Sequence, residues 1–100
     1  MSELVTTGTW IVKSGEEDAF VADWTHFAEW AATQPGATTL RLGRDTGDPS
    51  KYVSFAPWVD EPSVRAWKSQ PEFRDRISKV KAHTTAFEPL ELDAVARVGA

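Results

Sequence analysis

The chain contains no cysteine and no asparagine, one methionine and one tyrosine. It has no apolar run near the roughly 20 residues that would cross a bilayer. Without cysteine there is no disulfide, no thiol nucleophile and no thiolate metal site. Gly-rich phosphate loops are missing, and Ser54, Ser63, Ser69 and Ser78 lie outside any nucleophile-elbow context. Hydrolases and nucleotide-binding enzymes therefore leave the first rank. His26 and His83 are the only side chains with an unperturbed pKa near neutrality. Neither has a second histidine or a carboxylate at ligand spacing on a helix, so no metal site is expected. The net charge of −4 comes from 11 basic and 15 acidic residues. The basic ones form no patch: Arg65, Lys68, Arg74, Arg76, Lys79 and Lys81 are interleaved with Glu72 and Asp75. Nucleic acid is not an expected partner. MSELVTTGTW lacks a basic region followed by an apolar run, and the expectation is a cytoplasmic protein with no membrane segment.

What the chain has in quantity is aromatic surface. Five Trp and five Phe stand among 100 residues, 41% of which are hydrophobic. Each large ring buries about 150–250 Å². A single domain spanning 1–100 can thus build a core, with some rings left for a ligand pocket or a subunit contact. The stretch from Tyr52 to His83 concentrates the candidates, with Trp58, Trp67 and Phe73 on a strand running into two short helices.

Periodicity orders the elements. Residues 3–13 are rich in Val, Thr, Ile and Trp and read as a first strand, with Gly8 marking a bulge or a close approach. From Glu16 to Thr33, Phe20, Trp24, Phe27 and Ala31 form one helical stripe, with Glu16, Glu17 and Asp18 in the first turn. Pro35-Gly36 ends that helix. Residues 37–45 alternate around Leu40 and Leu42 and form a hairpin with Lys51–Trp58 across the turn at 46–49. Asp60-Glu61-Pro62-Ser63 opens a helix to Lys68, and Pro71 opens another to Ala82. Thr84–Val98 reads as a long last strand. The order predicts an α+β, ferredoxin-like β-α-β-β-α-β fold with a four-stranded antiparallel sheet and its helices on one face. The other face needs cover, and a second copy of the chain is the simplest one.

That order, together with Pro35-Gly36, Lys51-Tyr52-Val53, Trp58 before Asp60-Glu61, and the run from Trp67 to Phe73, resembles the antibiotic biosynthesis monooxygenase-like family. The resemblance implies a dimeric α+β barrel. Such proteins include cofactor-independent oxygenases of polyketide quinones and haem-degrading enzymes. It implies a Trp at the end of strand three, matched by Trp58, with Ser54 where quinone-oxidising relatives carry an asparagine. Haem-degrading relatives imply an asparagine near Gly8, a Trp matched by Trp67, and a histidine near Arg76 or Ile77. The chain has neither that asparagine nor that histidine. The resemblance thus implies a homodimeric monooxygenase that acts without cofactor on an aromatic, polyketide-like small molecule, or a non-catalytic dimeric module binding a small apolar ligand.

The candidate residues follow. Trp24 and Phe27 face inward on the first helix. Trp67, Phe73 and Phe55 are placed to close a cleft between helices and sheet, with Tyr52, Arg76 and His83 as its polar groups. Trp58, Trp67 and His83 are the candidates for a catalytic role. Each has a plainer reading: the rings as solid core, Trp58 and Trp10 as dimer contacts, and His83 as a cation complementing a helix C-terminus. His26, off the apolar stripe, is expected to be exposed.

Overall fold

The computed structural model describes residues 3–99. The elements run β1 (Leu4–Val12), α1 (Glu17–Ala31), β2 (Arg41–Arg44), β3 (Lys51–Trp58), α2 (Glu61–Lys68), α3 (Pro71–Lys81) and β4 (Thr84–Asp93). One antiparallel sheet has the order β2-β3-β1-β4. This is the ferredoxin-like arrangement.

Local chemistry sets the helix starts. Asp60 caps α2 by accepting from the Ser63 backbone N–H at 2.9 Å and its hydroxyl at 2.7 Å. These two bonds hold the Asp60 carboxyl below its usual range. Pro71 opens α3, where no intrahelical N–H is required. After α1 the chain reverses through Gly36, whose φ of 88° suits a residue without a Cβ.

Two strands are shorter than their periodicity. The expected strand at 37–45 pairs only over Arg41–Arg44, with an isolated bridge from Ala37 to Trp58. Pro57 lies in the β3 segment facing the missing part and has no N–H to give. Its carbonyl instead accepts from the Thr38 hydroxyl at 2.6 Å. The last strand stops at Asp93 rather than Val98, because Asp93 pairs with Leu4, the first residue of β1. Beyond it there is no strand to bond among the described residues, and Val95 and Val98 are 90% and 99% exposed. Alternation without a partner does not make a strand.

The sheet's inner face carries Trp10, Val12, Tyr52, Ala56 and Trp58 against Phe20, Trp24, Phe27, Ala28 and Ala31 of α1, Val64 and Trp67 of α2, and Val80 of α3. Trp10 and Trp58, expected as possible dimer contacts, are almost wholly enclosed within this one chain. Both point to the helix side of the pleat, which removes them from any subunit contact on the opposite face. That opposite face is uncovered. Val53, Phe55, Leu90 and Leu92 are 41–49% exposed there, on β3 and β4 positions that alternate with the inward ones. No helix among the described residues is long and apolar enough to cross a membrane.

Candidate ligand cavity

Between the inner face of the sheet and α1–α3 lies a cavity of about 200 Å³. β1 contributes Thr6, Thr7, Gly8 and Trp10; β3 contributes Ser54, Phe55 and Ala56; the helices contribute Trp24, Phe27, Trp67, Lys68, Phe73, Ile77 and Lys81. Leu40, Phe87 and Pro89 complete the lining. The space exceeds the about 150 Å³ that holds benzene in an engineered core, and falls short of the about 300 Å³ at which drug-sized sites begin. One or two aromatic rings fit inside.

The walls are ordered by ring contacts. Trp67 stacks on Trp58 at 4.6 Å and meets Phe73 edge-on at 4.8 Å. Phe27 tilts against Trp67 at 5.8 Å, and Trp10 stacks on Phe87 at 3.9 Å. Gly8 makes the last pair possible. A Cβ there would stand 2.8 Å from the Phe87 ring and 2.9 Å from the Ser54 hydroxyl, so Gly8 is a close-approach position and not a bulge. The irregularity of β1 falls instead between Ile11 and Val12.

Two of the inner indoles have partners. Trp10 donates to the Ser54 hydroxyl at 3.0 Å, and Trp58 donates to the Thr6 hydroxyl at 3.2 Å. Trp67 differs: its buried Nε1–H has no partner. An unsatisfied buried donor costs about 1–3 kcal/mol, so this ring is held in place by packing against that cost.

Trp24, Phe27, Phe55, Trp67 and Phe73, named on spacing, border one cavity. Phe55 does so from the sheet while strand alternation turns its ring to the bare face. Trp58 lies one layer deeper, behind Trp67. The three polar candidates are elsewhere. Tyr52 is buried, its ring 5.0 Å from that of Phe20, and it does not line the cavity. Arg76 pairs with Glu72 at 2.9 Å and lies over the Trp30 ring at 5.1 Å.

His83 is clamped against α1, its Nδ1 2.9 Å from Glu16 Oε1 and its Nε2 2.7 Å from Asp23 Oδ2. A neutral imidazole has one donor, so both contacts are hydrogen bonds only when the ring is protonated. The bond to Asp23, then that to Glu16, raises the His83 pKa above its ordinary value. His26 is largely exposed, 3.7 Å from Glu29.

Lys68 and Lys81 are the cavity's charged lining residues and were missed by sequence reasoning. Their signal was present: Phe73, Ile77 and Lys81 recur at four-residue steps on α3, one face of a helix, and a lysine stem can follow an apolar stripe to its end. Lys68 bonds Glu91 at 2.8 Å, and Arg65 reaches the same carboxylate. The Lys68 ammonium holds the Glu91 carboxyl below its usual range.

The sequence model of the antibiotic biosynthesis monooxygenase family matches residues 4–79. The chain belongs to this family. Among solved structures, SnoaB, a cofactor-independent oxygenase from Streptomyces nogalater, is 25% identical, with a TM-score of 0.86 over 99% of this chain and 97% of that one. A SnoaB mutant superposes over the full length of both chains at a TM-score of 0.91 and 24% identity. Another antibiotic biosynthesis monooxygenase, 19% identical, matches at 0.79 over 93% and 99% of the two chains. No curated protein matches the chain. In this family frame, the segment covered by the match ends within α3 and takes in most of the cavity lining.

Proposed function

We propose that the chain is a cofactor-independent monooxygenase of a small aromatic molecule, with one or two rings inside the cavity and any further ring projecting through its rim. The observation that carries this reading is the 200 Å³ cavity walled by Trp67, Phe73, Phe27 and Phe87 in a member of this family. Support comes also from the likeness to SnoaB, itself a cofactor-independent oxygenase.

The chemistry asks little of the protein beyond a dry, ring-lined site. The phenolic or enolic substrate loses a proton to water at the rim. Its electron-rich anion passes one electron to O₂, giving a substrate radical and superoxide, which recombine as a C–O bond. The resulting peroxide anion takes a proton back from water, and the hydroperoxide so formed loses water, with the hydrogen of the same carbon, to leave a ketone. For anthrone the balance is one O₂ consumed, one anthraquinone and one water formed.

Oxygen-electrode measurements with anthrone, in the presence of a chelator, test the proposal. Enzyme-dependent uptake with one quinone per O₂, reduced severalfold in Trp67→Phe, is the expected result. No uptake above the spontaneous rate, with anthrone or with smaller phenols, overturns it.

One observation favours a second reading, a non-catalytic ligand-binding module. None of Tyr52, Arg76 and His83 reaches the cavity. Binding of aromatic probes without any O₂ uptake would establish that reading.

We propose further that two copies associate through the bare sheet face, as the exposed Val53, Phe55, Leu90 and Leu92 favour. Light scattering giving twice the 11.1 kDa chain mass is the expected outcome.

A further inference from the structure

The protein as a whole is acidic, with a net charge of −4. Its cavity has the opposite character: Lys68 and Lys81 line it, and no carboxylate does. Apart from the unpartnered indole N–H of Trp67, several polar groups of that lining are already engaged. Thr6 accepts from Trp58 and Ser54 accepts from Trp10, while Lys68 is neutralised by Glu91. Lys81 makes no ion pair among the described residues. Its ammonium lies 5.9 Å from the centre of the Phe87 ring, which is stacked on Trp10. Lys81 and Pro89 are the exposed lining residues between α3 and β4, and so mark the rim on that side.

An unpaired cation at the rim of an aromatic slot matches a planar ligand with an acidic group at one end. We propose that Lys81 is the specificity-determining residue of the cavity, and that the ligand is an aromatic anion, a phenolate or carboxylate, whose ring lies between Phe87 and Phe73 while its charge meets the Lys81 ammonium. This rests on the cavity being the ligand site, as proposed above. It adds that the substrate is taken up in ionised form or ionises on the enzyme, since a nearby cation favours the anion. Lys81 would then stabilise the same negative charge that reduces O₂ in the oxygenation step.

The test is titration of the full chain with two probes of nearly equal shape, 2-naphthoate and neutral naphthalene-2-carboxamide, followed by tryptophan fluorescence in low-salt buffer. The wild type is expected to bind the carboxylate about threefold to fivefold more tightly, the range of a partly exposed ion pair. Raising the salt should narrow that gap, because the pair is at the rim. Lys81→Met should abolish the preference without changing carboxamide affinity, and Lys81→Arg should retain it. A structural role alone would move both probes together. Equal binding of the two probes by the wild type, or an undiminished preference in Lys81→Met, overturns the role of Lys81 and leaves the cavity reading standing. Failure of both probes to bind overturns the two together.

Discussion

The inner side of the sheet has two halves that treat polar groups in opposite ways. In one, around the start of α1, the His83 ring is held by Glu16 and Asp23 and the Tyr52 ring is packed against that of Phe20. Its charges face one another. In the other, beneath α2 and α3, Trp67 leaves an indole N–H without a partner and Lys81 has no counter-ion among the described residues. A satisfied cluster fixes helices to a sheet. An unsatisfied one beside a ring-lined cavity suits a ligand, because the ligand can supply the missing partner. The histidine that looks most like a catalyst in the sequence thus lies in the first half, outside the cavity lining.

The largest expected effect separates two tryptophans that stack on each other. Trp58 is wholly buried, so Trp58→Ala should destabilise the fold by about 3–5 kcal/mol in urea denaturation. A loss under about 1 kcal/mol would mean that the layer behind the cavity is not tightly packed. The milder pair sharpens the point. Trp58→Phe removes the bond to Thr6 and should cost about 1–3 kcal/mol. Trp67→Phe removes an unpartnered donor, and should cost at least about 1 kcal/mol less than Trp58→Phe while reducing O₂ uptake. Equal costs for the two would place a hidden partner at the Trp67 nitrogen.

Next comes Gly8. Gly8→Ala should push Phe87 and Trp10 apart and cost about 1–3 kcal/mol through overpacking, with weaker binding of naphthalene probes. Unchanged stability together with unchanged binding would show that these rings are not held at the close approach seen here.

The smallest effect tests the half that holds His83. The His83 pKa is raised in the folded state. Its contribution is therefore complete below the ordinary histidine value and is lost as pH rises through the folded value. His83→Gln should cost about 1 kcal/mol near pH 5, a modest figure because Glu16 and Asp23 are 41% and 40% exposed. Near pH 9 the difference should shrink toward zero. A cost that grows with pH would contradict the clamp, and a collapse of O₂ uptake at unchanged stability would return His83 to the chemistry.

Much of this was legible in the chain because it is periodic. The Phe20–Trp24–Phe27–Ala31 stripe, the hairpin around 46–49 and the proline at the head of α3 each carry their own local signal. The strand ends were not legible. The halt at Asp93 is set by where β1 begins, and the short β2 by the missing N–H of Pro57 across the sheet. The cavity divides the same way. That Trp24, Phe27, Trp67 and Phe73 border one space follows from stripe positions on helices packed on one face. Which way His83 turns depends on the contact between the α3–β4 junction and the start of α1, residues 60 and 67 positions apart. Arg76 offered a nearer clue in Glu72, four residues away on the same helix. Lys81 reads first as part of the solvated face of a mixed-charge helix, and its four-residue step from Ile77 is the feature that brings it to the cavity.

The most direct measurement is a crystal structure of the protein with 2-naphthoate bound. The account predicts the naphthalene ring between Trp67, Phe73 and Phe87, with the carboxylate within ion-pair distance of Lys81 Nζ and the His83–Asp23 contact undisturbed. Density for the ligand outside the cavity, or a cavity closed by collapse of Trp67 and Phe73 onto the sheet, would contradict it.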